Sequence, residues 1–476
     1  VTSDLQPLGL GLDPHGAVFA SSGRVLRGIR PESVEFYSKL LHEPVIEALI
    51  ADGLLVPTAI STELLPGFSL VLEHPRYSPL TFPFEWTASV FKAAALAVLE
   101  LNIRLLPHGY CTIDGHPWNL MLDGLEPRFI DFTSIIRRPA HGCWEEINEF
   151  AATCLSTLRL MAKGYPTVAR ALLRDLRSGP DHVLANSVLV NSRRRDQLPR
   201  GLRELAKASD VAGYFANKLT TRWRYRGWGR QGASVECLRR IAHEIGALDV
   251  QPPVEMWSDY YRGHADIGQY EGTRASLDAL RRTSRKHEVI CGVLERLRPA
   301  SVLDVACNRG PCSQFAALGG ARVIGIDIDE SALDAMAADS LALGTKALPL
   351  YCNIVTPAEP TTMAERPFPR ASERLRSECV LCLALVHHLV FRQTRLRFEN
   401  IARILGAFTT RHLIVEFIPR EDRALAGFID TRDEEFLHRF DWYSLENFRA
   451  ALAPHFPQVE ILESHPAPRV LLVCSR

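Results

Sequence analysis

Apolar runs alternating with helical segments across roughly the last 220 residues predict an α/β fold, a doubly wound and mostly parallel sheet. The clearest of them is residues 301–329, which read as strand, tight turn, helix, strand. Ahead of this lie a stretch that mixes short β-like runs with helices, read as an α+β domain, and a helical, basic middle. At 476 residues the chain is long enough for two or three domains. We divide it at 1–140, 141–250 and 251–476.

Within 301–329, Val302-Leu303-Asp304-Val305 has the continuous apolar character of a strand buried on both faces. Asn308, Gly310 and Pro311 make the turn, and residues 313–318 are helical until Gly319-Gly320. The second strand, 323–328, carries Asp327 near its end. This order suits a nucleotide: the turn admits a ligand to the backbone, and the second acid can bind ribose hydroxyls. Of the glycines in a GxGxxG fingerprint only Gly310 is present, with Ala306 and Asn308 at the others, which argues against NAD and FAD.

Taken from the start, residues 18–20 and 24–27 around Ser21-Ser22-Gly23 predict a hairpin, and 32–52 predict one helix ending at Gly53. A third β-like run covers 68–72, and 89–105 form an unbroken helix. Helical spacing continues over 145–177. Residues 192–240 carry 13 Lys and Arg against 4 Asp and Glu, and include Arg222-Trp223-Arg224-Tyr225-Arg226-Gly227-Trp228. Interleaved arginines and aromatics suit base stacking or phosphate clamping, but Lys+Arg and Asp+Glu balance at 55 each, so we read this stretch as a linker. One helix is expected over 277–297. The sheet continues with strands at 347–352, 378–386 and 411–417, a helix at 445–452, and an antiparallel pair at 458–462 and 469–474.

The composition, 47% hydrophobic and 23% charged, is that of a globular protein. It argues against membrane and nucleic-acid partners and leaves a partner protein or a homo-oligomer open. No apolar run reaches about 18 residues, and the first residues lack the pattern of a signal peptide, so the expected location is cytoplasmic. Eleven scattered cysteines suit reduced thiols. Cys379-Val-Leu-Cys382 lies on a predicted strand, where residues three apart face opposite ways, so no metal is expected there or elsewhere.

Two resemblances carry the functional reading. Asp304-x-Ala306-x-Asn308-x-Gly310 resembles the first motif of class I S-adenosyl-L-methionine (SAM) methyltransferases, an acid followed by alternating glycines. Upstream, IDGHPWNLMLDGLEPRFIDF places Asn119 five residues after Asp114, with Asp131 closing the next hairpin. That resembles the catalytic loop and metal-binding segment of kinase-like folds, in which the corresponding Asp receives the hydroxyl proton and the Asn and second Asp hold metals. The phosphate-pairing Lys of such folds is missing here; Arg27 is the nearest cation, and Leu8-Gly9-Leu10-Gly11 makes no clear GxGxxG. LDVACNRG, LCLALVHHL and LIVEFIPREDR, taken with the upstream segment, resemble a family of two-part methyltransferase-like proteins that includes a rhizobial nodulation-associated member.

The resemblance implies a Rossmann-like SAM domain fused to a kinase-like lobe that serves as a scaffold on the substrate side. Ligands of such sheets bind at the carboxyl ends of the strands. There the resemblance implies Asp304, Ala306, Cys307, Asn308 and Gly310 beside the methionine part of SAM, Asp327 on the ribose, Ile328 and Asn353 near the adenine, and Leu383 as a further cofactor contact on the strand that leads to the histidines. Tyr261 and Tyr270 are candidate covers. His387 and His388 are candidate general bases and Glu416 a candidate substrate contact. The expected activity is methyl transfer to a small molecule, in keeping with specialised metabolism. Phosphotransfer in the N-terminal lobe, non-methylating SAM-fold chemistry and a non-catalytic binding role are the alternatives.

Overall fold

The computed structural model describes residues 5–8, 13–21, 23–174, 227–263, 268–360, 368–393, 395–425 and 438–476. Two compact units make up the chain. The N-terminal unit takes 1–84, 88–252 and 360–368, and the C-terminal unit takes 85–87, 253–359 and 369–476. Gly9 to Gly11 and Arg222 to Arg226 lie outside the described residues.

In the N-terminal unit β1 (Gln6–Leu8), β2 (Gly16–Ser21), β3 (Arg24–Ile29), β4 (Ala59–Ile60) and β5 (Leu70–Pro75) form an antiparallel sheet in the order β1-β2-β3-β5-β4. The β2-β3 hairpin is the one the sequence predicts. The helix expected over 32–52 is instead two, Val34–Leu40 and Pro44–Ala51. Pro44 is the cause: it has no N–H to bond back into the preceding turn, and it opens a new helix readily. The helix Ala88–Leu105 packs against β8 and against the helix Val235–Ala247. Beside it lie the pair β6 (Tyr110–Thr112) and β9 (Ile135–Arg137), and the hairpin β7 (Leu120–Asp123) and β8 (Glu126–Phe129). A two-residue pair, β10 (Trp228–Gly229) and β11 (Gly232–Ala233), precedes the helix Val235–Ala247.

The C-terminal unit holds β12 (Ser301–Val305), β13 (Arg322–Asp327), β14 (Leu348–Tyr351), β15 (Ser377–Cys382), β16 (Thr409–Phe417), β17 (Gln458–Glu463) and β18 (Val470–Ser475). Their order is β14-β13-β12-β15-β16-β18-β17; the first five run parallel and β18 runs antiparallel to both its neighbours. This is the doubly wound sheet with an antiparallel edge that the sequence predicts. Val302, Leu381, Ile414 and Val473 on the strands meet Ile290, Leu333 and Met336 in one core. The helix expected over 277–297 is broken at Ser284 into Arg274–Thr283 and Arg285–Leu297, Ser284 standing in an extended conformation between them. Strand β15 stops at Cys382 rather than continuing to Val386. Ala384, at φ +50, turns the chain, and His387 and His388 sit on a short helix, Val386–His388.

Among the described residues no helix is long and apolar enough to cross a membrane. All eleven cysteines are free, Cys379 and Cys382 among the buried ones.

The turn after β12 explains the missing glycines. Ala306, Asn308 and Gly310 have φ of +55, +52 and +71, so the left-handed backbone that alternating glycines allow is kept by two residues that carry a Cβ. A Cβ built on Gly310 lies 2.7 Å from Met336 Sδ, so a larger residue there must push the Met336 side chain aside as well as take a left-handed backbone. Left-handed geometry disfavours alanine more than asparagine. Ala306→Gly is therefore expected to raise the unfolding free energy by about 1 kcal/mol. A urea denaturation series that places Ala306→Gly below the parent contradicts this strain.

Candidate functional site

A cavity of about 1110 Å³ opens at the carboxyl ends of β12 to β15, inside the C-terminal unit. One wall is the β12 turn with the end of β13. Asp327 accepts from the backbone N–H of Asn308 at 2.7 Å through one carboxylate oxygen. Through the other it accepts from the backbone N–H of Ile328 at 2.7 Å and of Asp329 at 2.9 Å. A carboxylate offers about four lone-pair positions, so Asp327 keeps room for about one more donor. Burial pushes its acidity down, and the three N–H donors work against that effect.

Asp304 lies one turn deeper and accepts from Ser313 Oγ at 2.7 Å. Burial pushes its carboxyl up to about 7, the Ser313 hydroxyl opposing and the Asp327 charge adding to the rise. Ala306, Cys307, Asn308, Ile328 and Asn353 line the cavity, as do Leu383 and Ala384 at the end of β15. Gly310 instead opens the helix Pro311–Leu318. Asn353 Oδ1 accepts from the Val355 N–H at 3.0 Å, which fixes the side chain.

The aromatic lead-in forms the opposite cover. Asn308 Nδ2 donates to the Trp257 carbonyl at 2.8 Å, and Ser258 Oγ donates to the Asp329 carboxylate at 2.8 Å. These two bonds hold Trp257, Tyr260 and Tyr261 against the cofactor-type turn, and all three line the cavity. Tyr270 is a correction to the expectation of a cover. It is fully buried with Leu277 and Leu280 and supports Tyr261 edge to face, with ring centroids 6.2 Å apart.

His387 and His388 line the side away from β13, their rings 4.2 Å apart. Burial lowers His387 to about 3 and His388 to about 4, so both imidazoles are neutral near pH 7. Glu416 does not reach the cavity surface. It is wholly buried, accepting from Lys286 Nζ at 2.7 Å and from Ser464 Oγ at 2.7 Å, while Lys286 forms the wall in front of it. Burial works against the Lys286 charge, and the Glu416 carboxylate more than restores it. Arg469 and Asp422 form a second buried pair on the lining, two-pronged at 2.8 and 3.1 Å. Sequence reasoning missed Lys286, Asp422 and Arg469, although Asp422 stands inside the quoted segment LIVEFIPREDR.

In the N-terminal unit the kinase-like trio is close but differently engaged. Asn119 Nδ2 donates to Asp114 at 3.1 Å. Arg27, on β3, pairs with Asp131 at 2.9 Å and with Asp13 at 2.9 Å, and also donates to Thr133. Asp131 thus already holds a cation from the protein itself.

The Asp304 value fixes a sign for stability against pH. An unfolded aspartate titrates near 4, so between about pH 4 and 7 the folded chain keeps a proton that the unfolded chain has lost, and stability falls as pH rises through that window. Asp304→Asn is expected to reduce this fall, read as the shift in urea midpoint between about pH 4 and 7. An unchanged pH profile in the variant contradicts the upward shift at Asp304.

No family model matches the chain. It is similar to nodulation protein NoeA of Rhizobium meliloti (strain 1021), 26% identical over 462 residues that cover 93% of this chain and 90% of that protein. Among solved structures it is similar to magnesium protoporphyrin IX methyltransferase (ChlM) from Synechocystis PCC 6803 with bound SAH, at 17% identity and a TM-score of 0.30, covering 44% of this chain and 90% of that one. It is also similar to WbdD, described as a bifunctional kinase-methyltransferase, at 18% identity and a TM-score of 0.29, covering 45% of this chain and 42% of that one. The strand order and registers, rather than these structural likenesses, define the fold of the C-terminal unit.

Proposed function

We propose that the C-terminal unit is a SAM-dependent methyltransferase acting on a small-molecule acceptor. The observation that carries this reading is the β12 turn, whose left-handed backbone at Ala306, Asn308 and Gly310 is locked to Asp327 at the mouth of the cavity. The residues suit the cofactor. Asp327 retains an acceptor position for a ribose hydroxyl, and Ile328 and Asn353, on the same lining, are the residues this reading assigns to the adenine. Asp304, Cys307 and Tyr261 also line the cavity, and this reading assigns them to the methionine end. At about 1110 Å³ the cavity is as large as ligand sites become, with room for cofactor and acceptor together.

SAM supplies an activated methyl group, so the protein's contribution is alignment. Trp257, Tyr260 and Tyr261 exclude water, and the walls set the direction of approach. His387 and His388 are the candidate bases in this reading; burial keeps both neutral at pH 7 and also weakens them as proton acceptors. Glu416 acts through Lys286, holding its ammonium at the wall, rather than by contact.

A specialised-metabolite acceptor is part of this proposal; the similarity to a nodulation protein covers residues of both units. Eleven free thiols support a cytoplasmic setting. Phosphotransfer by the N-terminal unit has less support, because Arg27 occupies Asp131.

Calorimetry with SAM and S-adenosylhomocysteine tests the proposal. Micromolar binding is expected, and Asp327→Asn, which turns one acceptor oxygen into a donor, is expected to weaken it by roughly 10- to 100-fold. A parent protein that binds neither ligand overturns the reading.

A further inference from the structure

A different group of side chains, in the N-terminal unit, is arranged as a ligand set. Asp114, His116 and Glu149 each offer one ligand atom, and these three atoms lie within 4.8 Å of one another. His116 Nε2 is 3.9 Å from Asp114 Oδ1, too far for a hydrogen bond. Two donors on one metal, each at about 2.1 Å, stand roughly 3–4 Å apart. The spacing fits an ion between them better than it fits direct contact.

Both carboxylates are held from behind. Asp114 Oδ2 accepts from Asn119 Nδ2 at 3.1 Å, and Glu149 Oε2 accepts from the Gly115 N–H at 2.6 Å. Each is thereby oriented by one oxygen and free at the other, the supporting arrangement that fixes metal-binding side chains. Gly115 makes the approach of the two segments possible. A Cβ there would lie 2.6 Å from the Glu146 carbonyl oxygen and 3.0 Å from the Phe150 nitrogen, so any larger residue pushes the loop from Glu149.

The charge around the group is one-sided. Glu146 stands beside Asp114 and Glu149, and among the described residues no Lys or Arg pairs with any of the three. A half-buried set of acids facing an imidazole nitrogen is an arrangement that a divalent cation would stabilise.

We propose that Asp114, His116 and Glu149 bind a divalent transition-metal ion. One imidazole and two carboxylates suit Zn²⁺ or its neighbours better than the harder Mg²⁺ and Ca²⁺. Three protein ligands leave a fourth position for water or an anionic group, as in open rather than structural sites. The set differs from the one implied by the kinase-like resemblance, in which Asn119 and Asp131 are the ligands, and it uses Glu149 from outside that motif. It also runs against the expectation of no metal, which considered the cysteines alone.

The test uses the full chain, stripped by chelator and titrated with Zn²⁺ alone by calorimetry, and with Co²⁺ followed by visible absorption. One Zn²⁺ per chain is expected, with a Co²⁺ d–d band. His116→Ala and Glu149→Gln are each expected to weaken Zn²⁺ binding at least 10-fold and to remove the Co²⁺ band, with the far-ultraviolet circular dichroism of the parent. Glu149→Gln preserves shape and so reads the ligand separately from the fold. No Zn²⁺ binding by the parent, or equal binding by parent and both variants, overturns the site.

Discussion

Three backbone N–H groups converge on the Asp327 carboxylate, and the geometry of the C-terminal site depends on that convergence. One of them, from Asn308, belongs to the turn after β12; the other two, from Ile328 and Asp329, belong to the end of β13 itself. The carboxylate therefore joins two adjacent parallel strands at the wall of the cavity. It also helps to hold Ala306 and Asn308 in a conformation that residues with a Cβ avoid. Asn308, so held, reaches the Trp257 carbonyl and brings the aromatic cover down over the cavity. Loss of this carboxylate acts on the turn, the cover and the ligand position together.

The far wall is governed by a different constraint, the burial of charge. Lys286 with Glu416 and Arg469 with Asp422 are both nearly inaccessible pairs. Such pairs add little net stability, but removing one member leaves a bare charge at about 3–5 kcal/mol. Their value here is positional. They keep charged groups at fixed points on the lining, next to two imidazoles that burial keeps neutral. The cavity lining thus carries fixed charges and neutral imidazoles as well as the aromatic rings of Trp257, Tyr260 and Tyr261.

What could be read from the sequence follows from the range of the interactions involved. Parallel strands buried on both faces declare themselves as apolar runs, so β12, β13, β15 and β16 were legible, and so was the acid at the end of β13. In the β12 turn residue identity is a poor guide to conformation, because Ala306 and Asn308 carry the glycine-like backbone that the GxGxxG comparison finds missing. Pro44 was a visible break that apolar spacing overrode, whereas Ser284 carries no comparable signal. Lys286 and Glu416 are ordinary residues 130 positions apart, and only folding shows that they are partners. The same holds for Glu149, which no local pattern joins to Asp114 and His116.

The account stands on Asp327 as the point where the turn and the ligand meet. A crystal structure with S-adenosylhomocysteine tests this most directly. It is expected to show a ribose hydroxyl at roughly 2.7 Å from an Asp327 oxygen, with residues 306–310 keeping their left-handed backbone. A ligand bound elsewhere, or bound in the cavity with no atom near Asp327, contradicts the account.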